Sequence, residues 1–131
     1  MNNKRRKKIK TMIETLETIQ TLANYNFIES IKDEIEDILY EEQDAYDNMP
    51  ENLQYSMRGE ESSEAIDNLQ EAVDALDEAI DIFNELDDLK DEYNNTENED
   101  EKIEKESEIE LKEEDIDERI LEAINNLEDI I

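Results

Sequence analysis

The sequence has no cysteine, histidine or tryptophan, one glycine, one proline and no long apolar run in its 131 residues. The absence of cysteine and histidine removes disulfides, thiolate nucleophiles, imidazole bases and the usual zinc and copper ligands. Di-iron bundles, which set Glu-x-x-His on facing helices, are excluded with them. An EF-hand loop needs a central glycine between its acids, and the acidic stretch 94–105 has none. One glycine and one proline are too few turn residues for an all-β domain, and period-two alternation is missing. No segment approaches the roughly 20 apolar residues of a membrane span. The basic residues at the start are followed by TMIETLETIQ, which lacks the apolar core of a signal peptide. With the missing cysteines, this predicts a soluble cytoplasmic protein with no membrane-inserted segment.

Positive charge is the other scarcity. The chain carries 13 basic against 42 acidic residues, a net charge of -29. Six of the basic residues (Lys4, Arg5, Arg6, Lys7, Lys8, Lys10) lie in the first ten positions, which hold no acid. Residues 11–131 therefore carry 7 basic against 42 acidic, or -35. Such a body repels nucleic acid and anionic lipid and is drawn to basic surfaces. Carboxylate catalysis needs a carboxyl buried in an apolar pocket, whereas nearly all of these acids fall on faces expected to be wet. The expectation is no enzyme, no catalytic residue, no cofactor and no specific metal site.

Residues 65–85 repeat one heptad three times: AIDNLQE, AVDALDE, AIDIFNE. Apolar residues three and four apart mark a helix with one buried stripe, so Ile66, Leu69, Val73, Leu76, Ile80 and Phe83 form the expected packing seam. Ala65, Ala72 and Ala79 flank it and allow a neighbouring backbone to come close. On the far side Asp67, Glu71, Asp74, Glu78, Asp81, Glu85, Asp88 and Glu92 follow one another at intervals of four and three, an acidic ridge with no base in its register.

In chain order, residues 1–10 are a basic head. Positive charge at a helix start opposes the macrodipole, so fraying is expected. It reads either as an arm touching nucleic acid or membrane or as a solvated tail resting on the acidic body. Apolar residues keep helical spacing from Ile9 to Ala45, with an irregular step at Asn24, Tyr25 and Asn26 that bends or breaks the helix. The turn at 48–59 is bracketed by Pro50, which stops a helix, and Gly59, which is free to take a positive φ. A second helix is expected over 60–93, with Ser62 or Ser63 as N-cap, followed by a Thr96/Glu99 capping box. Residues 94–112 are an acidic linker or an exposed helix. Ile116, Ile120, Ile124, Leu127 and Ile131 then mark a C-terminal amphipathic helix over 113–131, which joins the bundle or serves as a self-association strip. The architecture predicted is all-α: an elongated antiparallel helical hairpin over 9–93 with a third C-terminal helix, as a three-helix bundle or coiled coil.

The stretch EEQDAYDNMPENLQ (residues 41–54), followed by Arg58 and the heptads, resembles short, very acidic helical proteins of low-GC Gram-positive bacteria and their phages. They share an Asp-Asn-x-Pro-Glu-Asn-Leu-Gln turn between two helices. The resemblance covers about residues 35–85; it implies the hairpin and no activity.

Like charges three or four apart on a helix cost about 0.2–0.5 kcal/mol per pair, and the ridge has seven successive pairs. Solubility alone needs less charge. Helices about 50 Å long, packed to a width of about 20 Å, with 35 net charges give roughly one charge per 1.4 Å, against about one per 1.7 Å for duplex DNA. In composition the chain resembles the DNA-mimic inhibitors of phages. The expected partner is therefore a basic protein surface, that of a DNA-binding enzyme or a defence protein, reached through the ridge. The alternative is a coiled-coil scaffold or oligomerisation adaptor, with homodimerisation open and the acids merely solvated.

Overall fold

The first reversal of the chain comes at Ala23, whose backbone is left-handed (φ 51°). That conformation is costly for a residue with a Cβ, and its N–H and that of Asn24 return to the carbonyls of Gln20 and Ile19 as the preceding helix closes. The computed structural model describes residues 1–131 and is all-α. Helix α1 spans Asn3–Leu22, a 3-10 turn Tyr25–Phe27 follows, and α2 spans Ile28–Asp47. A short α3 (Glu51–Gln54) leads into α4 (Met57–Asn95) and α5 (Glu99–Glu128). The irregular step at 24–26 is thus a full break. The predicted hairpin with a third helix is replaced by five helices, because the first long segment folds back on itself. Tyr25 makes the reversal hold. Its ring is buried edge-on to Phe83, with centroids 6.1 Å apart, and its hydroxyl donates to Asp117 at 3.0 Å.

The four long helices run antiparallel in sequence and form a ring. α1 packs on α2 and α5, and α4 packs on α2 and α5. Their enclosed faces supply one continuous core from Ile9, Leu16, Ile28, Ile35, Leu69, Leu76, Ile120 and Leu127, among others. Ile116, Ile120, Ile124 and Leu127 are all buried in that core, so the C-terminal helix is a bundle member; Ile131, expected on the same stripe, lies past the end of α5 and is exposed.

Helix caps differ from expectation in detail. Asn2 caps α1 by accepting from the N–H of Arg5 at 2.9 Å, so helix begins at Asn3 within the basic head. Ser56 stands at the N-cap of α4, where Ser62 and Ser63 had been expected. Asn98 caps α5, accepting from the N–H groups of Asp100 and Glu101, while the Thr96 hydroxyl donates back to Glu92. Gly59 has no positive φ. It is required because a Cβ at this position would collide with the Leu53 and Gln54 carbonyls as α4 leaves the α3 turn.

At 1.5 Å per residue α1 and α2 are about 30 Å long and α4 about 58 Å. Phe83 lies level with the α1–α2 turn, so the last twelve residues of α4 run about 18 Å past it, paired with the start of α5. No residue from 87 to 115 is buried in this two-helix arm.

Candidate interaction surface

All eight ridge residues, Asp67, Glu71, Asp74, Glu78, Asp81, Glu85, Asp88 and Glu92, are exposed along one side of α4. They are not equivalent. Glu78 meets Arg119 at 3.1 Å, Glu85 meets Lys112 at 2.6 Å and Glu92 meets Lys105 at 3.1 Å. The three acids and the three bases are each seven residues apart, with the bases taken in reverse order. This is the charge ladder of an antiparallel helix pair. Heptad spacing made the acids visible in the sequence; their partners were not, because the register between α4 and α5 is set only by the core. Asp67, Glu71, Asp74, Asp81 and Asp88 have no cationic partner.

The seam is turned by about one position from that expected. Leu69, Val73 and Leu76 are buried, whereas Ile66, Ile80 and Phe83 are half-buried. Ala65, Ala72, Ala79 and Leu86 lie deeper. α4 is clasped from two sides, so its apolar arc is wide, and the small residues sit at its centre. Asp77 marks the α2 side by meeting Lys32 at 2.6 Å, and Val73 and Ile80 share its flank. That hydrogen bond from Lys32 to Asp77 raises the Lys32 pKa despite partial desolvation, as the Glu85 bond does for Lys112.

Across the molecule, nine of the 42 acidic side chains have a cationic partner within 4.0 Å. The other 33 keep their charge uncompensated. No family model, curated protein or solved structure matches the chain.

The one carboxylate taken fully out of water is Glu42, late in α2. Its Oε2 accepts from Arg5 Nε at 2.9 Å and its Oε1 from the buried Ser62 hydroxyl at 2.7 Å; the Met1 amino group stands 3.3 Å away. Burial by itself would raise the Glu42 pKa. The Ser62 hydroxyl, the Met1 amine and Arg5 outweigh it and hold the carboxyl below its ordinary range. Sequence reasoning missed this site entirely, since it joins residues 37 and 20 positions apart across three helices. It also anchors the start of α1, which had been expected to fray. Tyr25 is shifted the other way: burial, the bond to Asp117 and the charges of Asp117 and Glu113 push its hydroxyl well above the usual range. Neither group opens onto a substrate-sized cavity. No group of three or more carboxylates is arranged to hold a metal ion, and no helix is long and apolar enough to cross a membrane.

Proposed function

We propose that this protein is a non-enzymatic acidic rod that binds the basic, nucleic-acid-binding surface of another protein in the cytoplasm and occupies it as duplex DNA would. The observation that carries the reading is the set of unpaired acids on an exposed, stiff helix. Asp67, Glu71, Asp74, Asp81 and Asp88 project from α4 with no cation of the chain to satisfy them. Net charge of -29 over about 58 Å gives about one charge per 2 Å, close to the one per 1.7 Å of duplex DNA. Two helices side by side give a width of about 20 Å. Kinship with the short acidic helical proteins of Gram-positive bacteria and their phages belongs to the same proposal and rests on the turn at 47–54.

A second reading, a structural coiled-coil adaptor, draws support from the Glu78, Glu85 and Glu92 ladder, which spends part of the ridge on internal cohesion. Competition separates the two. Proteins captured from lysate on the immobilised chain at low salt are asked whether free chain displaces a labelled duplex from them. A mimic displaces the duplex, and the Asp67→Asn, Asp74→Asn, Asp81→Asn, Asp88→Asn variant loses about tenfold in potency. Those four residues make no ion pair, so their loss leaves the fold intact. Undiminished displacement by the variant, or capture that never involves DNA-binding proteins, favours the adaptor.

A further inference from the structure

The α4–α5 arm carries more than charge. Residues 87–115 hold 15 acidic and 4 basic residues, a net charge of -11. The bases of α5 in this arm are all spent on α4: Lys105 meets Glu92, Lys112 meets Glu85, and Lys102 lies over the Tyr93 ring at 5.2 Å from its centroid. The outward side of α5 is therefore free of cations. There the sequence IEKESEIEL (residues 103–111) sets a glutamate at every second position. Ile103, Ser107 and Leu111 fall four residues apart on the face opposite Lys105, Ile109 and Lys112, and the two large apolar side chains are 62% and 61% exposed. Glu106 and Glu110 edge this strip on one side and Glu104 and Glu108 on the other, while Asp100 and Glu114 close its ends. All six acids are exposed and none is in an ion pair.

An exposed aliphatic strip between two rows of free carboxylates has no partner in its own chain. A second copy does not supply one, because its body is acidic and the apolar residues beneath its basic head, Met12 and Ile38, are themselves buried. The other side of α5 shows what kind of surface fits. There α5 sets bases beside an apolar seam, and α4, a helix laid along it, answers with Glu85 and Glu92. On the outward side the sign is reversed. α5 offers the acids, so the surface that answers carries bases along both edges of an apolar stripe.

We propose that the outward face of α5 between Asp100 and Glu114 is a docking site for a basic amphipathic helix of another protein, laid along α5 on the side away from α4. Ile103 and Leu111 receive its apolar stripe, and Ser107 between them leaves room for a large central side chain. The glutamates on each edge meet its lysines and arginines. Their spacing sets the pattern of that helix: apolar residues at i, i+4 and i+8, with bases at i+1, i+3, i+5 and i+7. A segment with bases on one edge only leaves a row of glutamates unanswered, and a basic segment without the stripe leaves the aliphatic side chains in water. Lys105, Lys112 and Arg119 face the α4 ridge, so the site lies across α5 from it. The inference therefore stands or falls separately from the proposed function.

Isothermal titration calorimetry of the full chain with two synthetic peptides tests it. The first, as long as the site, has leucine and lysine in that pattern with alanine elsewhere; the second has the same composition shuffled so that its leucines share no face. At about 0.1 M NaCl the first binds about tenfold tighter than the second, because only its leucines are buried against Ile103 and Leu111. Ile103→Gln with Leu111→Gln, which preserves charge and helix propensity, removes that difference. Glu104→Gln, Glu106→Gln, Glu108→Gln with Glu110→Gln weakens both peptides. The Asp67→Asn, Asp74→Asn, Asp81→Asn, Asp88→Asn variant of the ridge leaves the ratio between the peptides unchanged. Equal binding of the two peptides to the parent chain overturns the proposal, and that comparison needs no substitution. So does a ratio that survives the loss of Ile103 and Leu111 or that falls with the ridge variant. A parent whose mass in sedimentation equilibrium exceeds 15.5 kDa, and returns to it with the two glutamines, gives the face to a second copy and overturns it too.

Discussion

Glu42 shows how one residue decides a fold that is otherwise short of polar contacts inside. A buried carboxylate is tolerated only when charge and hydrogen bonds replace water, and Arg5 and Ser62 do so from two other helices and the Met1 amine from just ahead of α1. Removing one partner of such a set leaves the others stranded. Glu42→Ala should cost about 3 kcal/mol in urea denaturation at neutral pH, and Ser62→Ala about 1–2 kcal/mol. The pH dependence has a definite sign. A carboxyl whose pKa is lower folded than unfolded contributes stability above the unfolded value of about 4.3, and that contribution is lost as pH falls through the folded value. The gap between wild type and Glu42→Ala should therefore narrow on acidification below about pH 4.3. A gap that stays constant to the acid limit would mean that the alanine variant loses packing and not charge. Nothing in the sequence around Glu42 sets it apart from Glu41, Asp44 or Asp47. Which acid goes inside depends on where α1 returns, and that depends on a turn twenty residues earlier.

At the scale of helices, much was legible. The heptads of residues 65–85 are helical over their whole length, and the apolar periodicity lies in the core from Ile116 to Leu127, whereas Ile131 falls past the end of α5 and is exposed. The break at Ala23 was only half legible. Two asparagines flagged it, but Ile19, Ala23, Phe27 and Ile31 keep perfect helical spacing across it. Ala23 and Phe27 prove to be exposed. Periodicity reports which residues are apolar; it cannot report that a stripe has changed helices. The same limit explains the ridge, where the sequence treats eight acids alike and the α4–α5 register divides them. Asp74 and Asp81 are unpaired and take part in four of the seven ridge repulsions, each worth about 0.2–0.5 kcal/mol at low salt. Glu78, between them, is tied to Arg119. Asp74→Asn with Asp81→Asn should therefore raise the melting temperature by a few degrees in low-salt buffer, whereas Glu78→Gln should leave it unchanged or lower it, since an exposed pair is worth at most about 1 kcal/mol. Thermal melts of the two variants decide the matter. Equal stabilisation by both would show that the ladder contributes nothing in solution.

For the whole molecule the question is which electrostatic contribution dominates, the nine paired acids or the 33 unpaired ones. Both weaken as ions are added, so the sign of the salt response gives the answer directly. The pairs are mostly exposed, and such pairs are worth about 0–1 kcal/mol each. Repulsion acts among all 33 free acids, and a net charge of -29 on a 131-residue chain destabilises the compact state by its own field. The melting temperature should accordingly climb as NaCl rises from about 10 mM, where the Debye length is about 30 Å, to about 0.1 M, where it is about 10 Å. It should climb less steeply beyond, once screening reaches the spacing between neighbouring carboxylates. The arm should respond most, because residues 87–115 have no buried side chain to set against their charge of -11. Circular dichroism melts across that range test the balance. A flat or falling curve would mean that the Glu78, Glu85 and Glu92 ladder and the Glu42 cluster outweigh the repulsion. The surplus acid would then be no burden on the fold, and the reason to seek a basic partner for it would weaken accordingly.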